Sequence, residues 1–490
     1  ETQLLRTQAA GCRRILSAPH DSVGSGDGAV AELIMSKVFL LLVCVWFGMR
    51  RFSTAFRIYA CLLAVLIVQA GRKDLFGLAP IDYQDSVTSR MALLRWGLLA
   101  LTAGIGFVLR YAPQRHSAAA KQLGVGALAF VILCAASSSY GLVPLGCLMR
   151  AASLLLLIAA LAWTIYPAMR DSGQCNRLIA VHELAALGVV AFNCYLLLQG
   201  RGFVVVESKH IVRFGGLLDN PIQMSTFVVL TLPCCLFMAR ARGWLSWHGA
   251  VFVGLIVSLV PTHARAGMMA AAMGVAVFAY IVADTAGRQR WASISLLLSP
   301  LLAFVPWARE LVRGEGGTFW EILYTARLAL WSDLFKHFKT SPWLGYGFGC
   351  SHLFSRLVVA DPEYADMHAH NSYFEVFGDL GMVGVALMTV LLVGLVRHGR
   401  RSLQAGDPRT REMHAAIFAT VVSGLVDAAS DSWLFSVGNN SCVMFWVMAT
   451  AMVARADGVL ELEAAQRTRQ NVPHNARWRR PLVVPARTGS

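Results

Sequence analysis

His368, His370, Asn371 and Glu375 lie together in DPEYADMHAHNSYFEVFGDLGMVG, residues 361–384. Histidine, with an ordinary pKa of about 6.5, can take a proton from a hydroxyl at neutral pH. His370 is therefore a candidate general base, with Asn371 or Glu375 placed to orient the ring or the acceptor. Other readings stand beside this one. His368 and His370 form an H-x-H pair of the kind metals use, but the sequence offers no obvious third ligand. His370 could instead cap the next helix, and Asn371-Ser372 is itself an N-cap signal. A helix starting near Asn371 would also point free N–H groups at an anion.

Two arginines form the second candidate group. Arg213 lies in KHIVRFGGLLDNP, just before an apolar run, and Arg265 lies in PTHARAGMMAAAMG, between two apolar runs. Arginine at membrane depth is expensive and reads by default as functional; the alternative for Arg265 is a snorkelling side chain at a helix end. Two planar guanidiniums facing one cavity would suit a pyrophosphate, because each can hold phosphate oxygens bidentately. Arg201, Lys209 and Arg327 could add to that field or simply be solvated.

These residues sit in a membrane context. Of 490 residues, 56% are hydrophobic and 14% charged, with mean hydropathy +0.56, whereas a soluble domain carries roughly 25% charged residues. The net charge of +15 is not that of a nucleic-acid binder, which gathers basic residues on one folded face. Here arginines punctuate apolar runs, and the tail is basic. Most of the 11 cysteines lie inside apolar runs as small hydrophobes; Cys350 alone falls in the long polar segment 308–370. Residues 1–34, small, polar and Gly/Ser-rich, read as a disordered extension, and Met35 looks like a natural start.

A helical span needs about 20 mainly apolar residues. Candidates are 36–49, 55–70, 91–109, 122–142, 149–168, 178–198, 221–239, 246–262, 266–285, 291–307, 372–396, 413–434 and 437–454. The expectation is an all-α polytopic membrane protein with about 12–13 transmembrane helices. It divides into a bundle over 35–307, a loop over 308–370, further spans over 371–455 and a basic tail over 456–490. Arginines at 110, 115, 170, 177, 240, 242, 288, 290 and 397–411 fall on one side, predicted to be cytoplasmic. Segments 71–90, 200–220, 262–266 and 308–370 then share the other side, where lipid tolerates irregular backbone only against protein or a wet cavity. No internal repeat of the transporter kind is visible.

Within the loop, residues 319–338 place Leu323, Leu330, Leu334 and Phe338 near one helical face, which predicts an amphipathic helix lying on the membrane. LGYGFG, residues 344–349, follows as a tight turn region. As a phosphate cradle its G-x-G-x-G is weak, lacking a preceding strand and the usual spacing.

Four segments in order resemble the O-antigen ligase and polymerase superfamily. HAHNSYFEVFGDLGMVG (368–384) is similar to its His-Asn hallmark, and RFGGLLDNPIQMSTFVVLTLP (213–233) to its Arg…Gly…Asn-Pro motif. THARAGMMAA (262–271) is similar to its Ser-Arg-Gly segment, and RLALWSDLFKHFKTSPWLGYGFG (327–349) to its Arg…Trp…Pro-Leu-x-Gly-x-Gly stretch. The chain departs from the pattern at Ile222, which follows Pro221, and at Ala264 and Ala266, which flank Arg265. The resemblance implies a metal-independent, cofactor-free glycosyltransferase of the bacterial inner membrane with its site facing the periplasm. Its donor would be a glycan on undecaprenyl pyrophosphate, and its acceptor a lipid A-core or a glycan, in contact with membrane lipids. On that pattern Arg213 and Arg265 bind pyrophosphate and His370 activates the acceptor hydroxyl; Arg327, His368, Asn371 and Glu375 are candidate supporting residues by their place in the sequence. A ligase fits the long loop before the His-Asn pair, a polymerase of O-antigen or exopolysaccharide is the alternative, and a lipid-linked oligosaccharide transporter is the reading from a different class.

Overall fold

The computed structural model describes residues 40–49, 54–70, 90–109, 117–206, 211–284, 287, 330–332, 334–351, 369–404 and 407–470. The extension 1–34, the span at 291–307, Lys209, Arg327, His368 and the tail beyond 470 lie outside the described residues. Helices form where the apolar runs are. They are α1 (Thr54–Ala70), α2 (Arg90–Leu109), α3 (Ala118–Ala136), α4 (Pro144–Ala160, continuing through a π-turn to Met169) and α5 (Ser172–Leu198). Then follow α6 (Pro221–Arg242), α7 (Trp247–Leu259), α8 (Arg265–Val282), α9 (Ser372–Gly399), α10 (Pro408–Asp427) and α11 (Asn440–Gln470). Residues 40–48 are helical as well.

Their starts follow helix-entry chemistry. Ser117, Asp171, Asn220, Asn371 and Asp407 each accept a first-turn backbone N–H, and Pro144, Pro221 and Pro408 occupy first-turn positions where no N–H is needed. Seven of the described helices are long and apolar enough to cross a membrane, and Phe56–Ile67, Leu93–Val108 and Trp247–Thr262 are shorter apolar helices. The chain is an all-α polytopic membrane protein. The only described strands, β1 (Phe203–Val206) and β2 (Ile211–Phe214), make one antiparallel hairpin between α5 and α6. Alternating chain direction divides the bundle into a hairpin end and an opposite end.

α6 is the axis of the bundle: 89% of its apolar stretch is buried, and α7, α8 and α10 pack around it. Close approach depends on two α8 glycines. A Cβ on Gly267 would lie 2.5 Å from the Ser225 hydroxyl of α6, and one on Gly274 would lie 2.9 Å from the Ser423 Cβ of α10. Either substitution would wedge the trio apart at dense core packing.

The structure departs from the expected elements at three places. The span expected at 413–434 ends at Asp427, and residues 428–439 form turns. Ser430, Asp431 and Ser432 are too polar for a lipid-facing helix: Ser430 bonds back to Asp427 O, and Asp431 O and Ser432 Oγ bond to the start of α9. The amphipathic segment, expected on the membrane surface, buries Leu330, Leu334 and Phe338 in a cluster with Ala369, against Phe374 and Phe377 of α9. α9 itself breaks at Gly381 (φ 61°, ψ −161°). The loop 341–351 fills the break: the N–H groups of Met382 and Val383 donate to Pro342 O (2.8 Å) and Trp343 O (3.3 Å). A kink at membrane depth is tolerated because its freed groups find protein partners.

That docking also decides the role of LGYGFG. Gly345, Tyr346 and Gly347 donate their N–H groups to Ser341 O, Gly378 O and Asp379 O, and Cys350 donates to Gly347 O. Phe348 donates to Ser137 Oγ, while Gly349 and Ser351 donate to the two Asp379 carboxylate oxygens at 2.6 and 2.8 Å. Every backbone N–H from 345 to 351 is thus committed to protein, which leaves no cradle for a phosphate.

Candidate active site

Three helices begin at the hairpin end in the same way. Asp219 (φ 56°), His263 (φ 52°) and His370 (φ 47°) are the non-glycine residues with positive φ among those described. Each stands one residue before an N-cap: Asn220 for α6, Ala264 for α8 and Asn371 for α9. A left-handed conformation is costly for residues with a Cβ and concentrates where function overrides local preference. The three helix starts share the end that carries every described candidate residue.

Both sides of His370 are fastened. The indole Nε1–H of Trp331 donates to Ala369 O at 2.6 Å, just before it. Just after it, Asn371 N–H donates to Ser432 Oγ at 3.1 Å. Ser372 N–H donates to Ala428 O and Asp431 O. Its hydroxyl donates to Asp431 O at 2.8 Å and accepts from the N–H groups of Trp433 and Leu434. The 428–434 turns are therefore sewn to the start of α9, which sets the Asp431 carboxylate opposite the His370 ring. The Nδ1–Oδ1 separation is 3.5 Å, and the side chains are 24% and 14% exposed. That distance is at the long limit for a hydrogen bond, as is common at sites awaiting substrate. A carboxylate beside Nδ1 favours the tautomer protonated there and leaves Nε2 as the basic nitrogen.

Asn371 acts as the cap its sequence position suggests: its Oδ1 accepts from Tyr373 and Phe374 N–H, each at 3.0 Å. Glu375 stands half-buried in the first turn of α9. The group next to the ring is thus Asp431, which sequence reading missed because DAASDSWLFSV was absorbed into an apolar run. The closely spaced Asp427, Ser430, Asp431 and Ser432 were the available signal.

The arginines form a second pair. Arg213 lies on β2 opposite Val204. β2 runs beside the 260–262 turn that leads into α8, whose first residue is Arg265. Burial, and then the neighbouring charge of Arg265, pull the Arg213 guanidinium below the ordinary arginine value. Its Nε is buried without a hydrogen-bond partner among the described residues. Ala264 supplies no side-chain cap to α8, so the first N–H groups of that helix are not taken up by their own cap residue, unlike those of α6 and α9. Two close cations, a buried unused donor and a helix N terminus make a setting for an anion. α8 packs along α10, which ends just before Asp431, so the arginine pair and the His–Asp pair flank the same end. Arg201 is exposed after α5. Among the described residues no group of three or more His, Cys, Asp or Glu side chains is placed to hold a metal ion.

Residues 227–389 match the family model described as O-antigen ligase. The match begins inside α6 and ends inside α9, and so includes Arg265 and His370 but neither Arg213 nor Asp431. No curated protein matches the chain.

Proposed function

We propose that this chain, whose residues 227–389 match the family model described as O-antigen ligase, is a ligase-type glycosyltransferase of that superfamily. It moves a glycan from undecaprenyl pyrophosphate to a hydroxyl of lipid A-core, at the periplasmic face of the inner membrane and without a metal. The observation that carries this reading is the partly exposed His370 ring, turned to Asp431 at the mouth of α9.

In the proposed step the acceptor O–H gives its proton to His370 Nε2 while its oxygen attacks the anomeric carbon of the donor sugar. The bond from that carbon to the pyrophosphate oxygen breaks, and the polyprenyl pyrophosphate leaves with the electron pair. Asp431 holds the ring in the productive tautomer and stabilises the imidazolium. Arg213 and Arg265 bind the pyrophosphate and offset the charge that grows on it, an effect that strengthens in a water-poor site. Pyrophosphate leaves readily, so the pair of carboxyl groups that glycosidases use is not required.

The test is reconstitution of purified protein in lipid vesicles with a polyprenyl-pyrophosphate glycan and lipid A-core, with chelator present. Glycan on the core, with polyprenyl pyrophosphate released, supports the ligase. Lengthening of the glycan on its own carrier, with core unmodified, places the protein in the polymerase branch. Neither reaction, or loss of transfer on chelation, overturns the corresponding part of the proposal.

A further inference from the structure

The loop that fills the α9 kink ends at a second contact that the transfer reaction does not use. Its Cys350 meets Cys147, in the first turn of α4, with the two sulfurs 3.4 Å apart. Both side chains are buried, at 2% and 1% exposure. The packing leaves room here for two sulfurs and little else. A Cβ on Gly141 would come within 2.7 Å of Cys147 Sγ. Gly347, at φ 105°, stands across from it, and a Cβ there would lie 3.0 Å from Cys147 Sγ and 3.4 Å from Cys350 Sγ. A disulfide requires the sulfurs to close by about 1.4 Å more, a movement within the reach of side-chain torsion. No other cysteine pair among the described residues has its sulfurs in contact; the rest lie singly or as sequence neighbours inside apolar helices.

We propose that Cys147 and Cys350 are joined by a disulfide that staples the 341–351 loop to the start of α4. The bond spans 203 residues of chain, the kind of long closure for which a crosslink restricts the unfolded chain most. It holds in place the loop whose carbonyls satisfy the broken part of α9, and so supports the helix that begins beside His370. Both cysteines lie at the hairpin end, opposite the arginine-rich side; on the proposed reading that end faces the periplasm, an oxidising compartment that permits such bonds.

The chemistry is thiol–disulfide exchange. One cysteine thiolate attacks an external disulfide, of an oxidoreductase or of oxidised glutathione, and forms a mixed disulfide with release of one thiolate. The second cysteine attacks the sulfur of the first, the Cys147–Cys350 bond forms, and the second external sulfur leaves. Two protons and two electrons pass to the acceptor, which ends as two thiols. Because both sulfurs are buried in the folded chain, the bond forms before the loop closes.

The experiment counts thiols on the full chain: native membranes are quenched with acid, and the protein is then dissolved in denaturant at neutral pH with an alkylating agent, so that every free thiol is blocked. The blocked, denatured protein is then treated with or without reductant, and the newly released thiols are tagged. Of eleven cysteines, nine are blocked at the first step and two become taggable only after reduction. Cys147→Ser and Cys350→Ser each abolish that tagging. The wild-type melting midpoint falls by several degrees on reduction, and that of Cys350→Ser does not move. Eleven cysteines blocked before reduction overturn the proposal, and so does a reducible pair that persists in Cys350→Ser.

Discussion

The bundle holds a histidine–aspartate pair at each end, and the two differ in every respect that separates chemistry from architecture. At the opposite end His398 Nε2 lies 2.8 Å from Asp457 Oδ1, with side chains 2% and 1% exposed. The same carboxylate accepts from Ser117 N–H, the Ser117 hydroxyl and the Tyr166 hydroxyl. It thereby ties the starts or ends of α3, α4, α9 and α11 together. Close by, Arg455 donates to His414 Nε2 at 2.9 Å and to Arg170 O, while His414 Nδ1 lies 2.6 Å from Ser402 O. At the hairpin end His370 and Asp431 are 3.5 Å apart, partly open, and follow strained backbone. A saturated, buried carboxylate can do little except hold helices. One with a loose partner and an exposed ring nitrogen beyond it can move a proton.

The comparison can be broken most strongly at the arginines. Replacing both Arg213 and Arg265 by alanine removes the charge that meets the leaving group, and transfer falls by about 10³-fold or more. Donor-dependent transfer in vesicles, normalised to folded protein, measures this. Arg265→Lys restores little, because an ammonium lacks the planar fork. Full rescue by lysine would remove the bidentate argument.

Exchanging the two aspartates sharpens the contrast. Asp431→Asn lowers the transfer rate by about 10- to 100-fold, the kinetic equivalent of a hydrogen bond to a charged group. Asp457→Asn leaves the rate per folded molecule unchanged but costs about 1–3 kcal/mol of stability, read from thermal unfolding in detergent. The reverse pattern would mean that the ends have been assigned the wrong way round.

Smaller effects follow at the margins. Trp331→Phe removes the hydrogen bond to Ala369 O and slows transfer by about fivefold, close to the 1 kcal/mol of an ordinary hydrogen bond. The exposed cap Asp407 shows a pH effect on stability alone. Hydrogen bonds from the Thr410 hydroxyl and N–H hold its carboxyl below the ordinary value. Its contribution is therefore complete above the unfolded-state pKa of about 3.9 and is lost as pH falls through the lowered folded-state value. The melting-temperature difference between wild type and Asp407→Asn should follow that course.

Much of this architecture was legible in the chain. Each expected span other than 291–307 has a described helix at its position, because apolar length and flanking arginines are local properties. His370 and Arg265 stood out as polar groups at helix mouths, and Asn371 as a cap. What escaped depends on tertiary contact. Averaged hydropathy carried the α10 span past Asp427 and hid Asp431. The face of Leu330, Leu334 and Phe338 is apolar whether it meets lipid or α9, so its true partner could not be read from periodicity. Gly381 lay inside the span expected at 372–396, yet its positive φ depends on carbonyls of a loop some forty residues earlier in the chain. Cys147 passed as one more small hydrophobe in an apolar run, since nothing near it in sequence announces Cys350.

The most direct test of the account is the transfer rate of His370→Ala at equal folded amounts, beside wild type and with donor binding measured in parallel. The account predicts a loss of about 10²–10⁴-fold, the range for a general base, with donor binding retained through Arg213 and Arg265. Transfer within twofold of wild type would contradict it, and would leave the His370–Asp431 pair as a second structural tie like His398–Asp457.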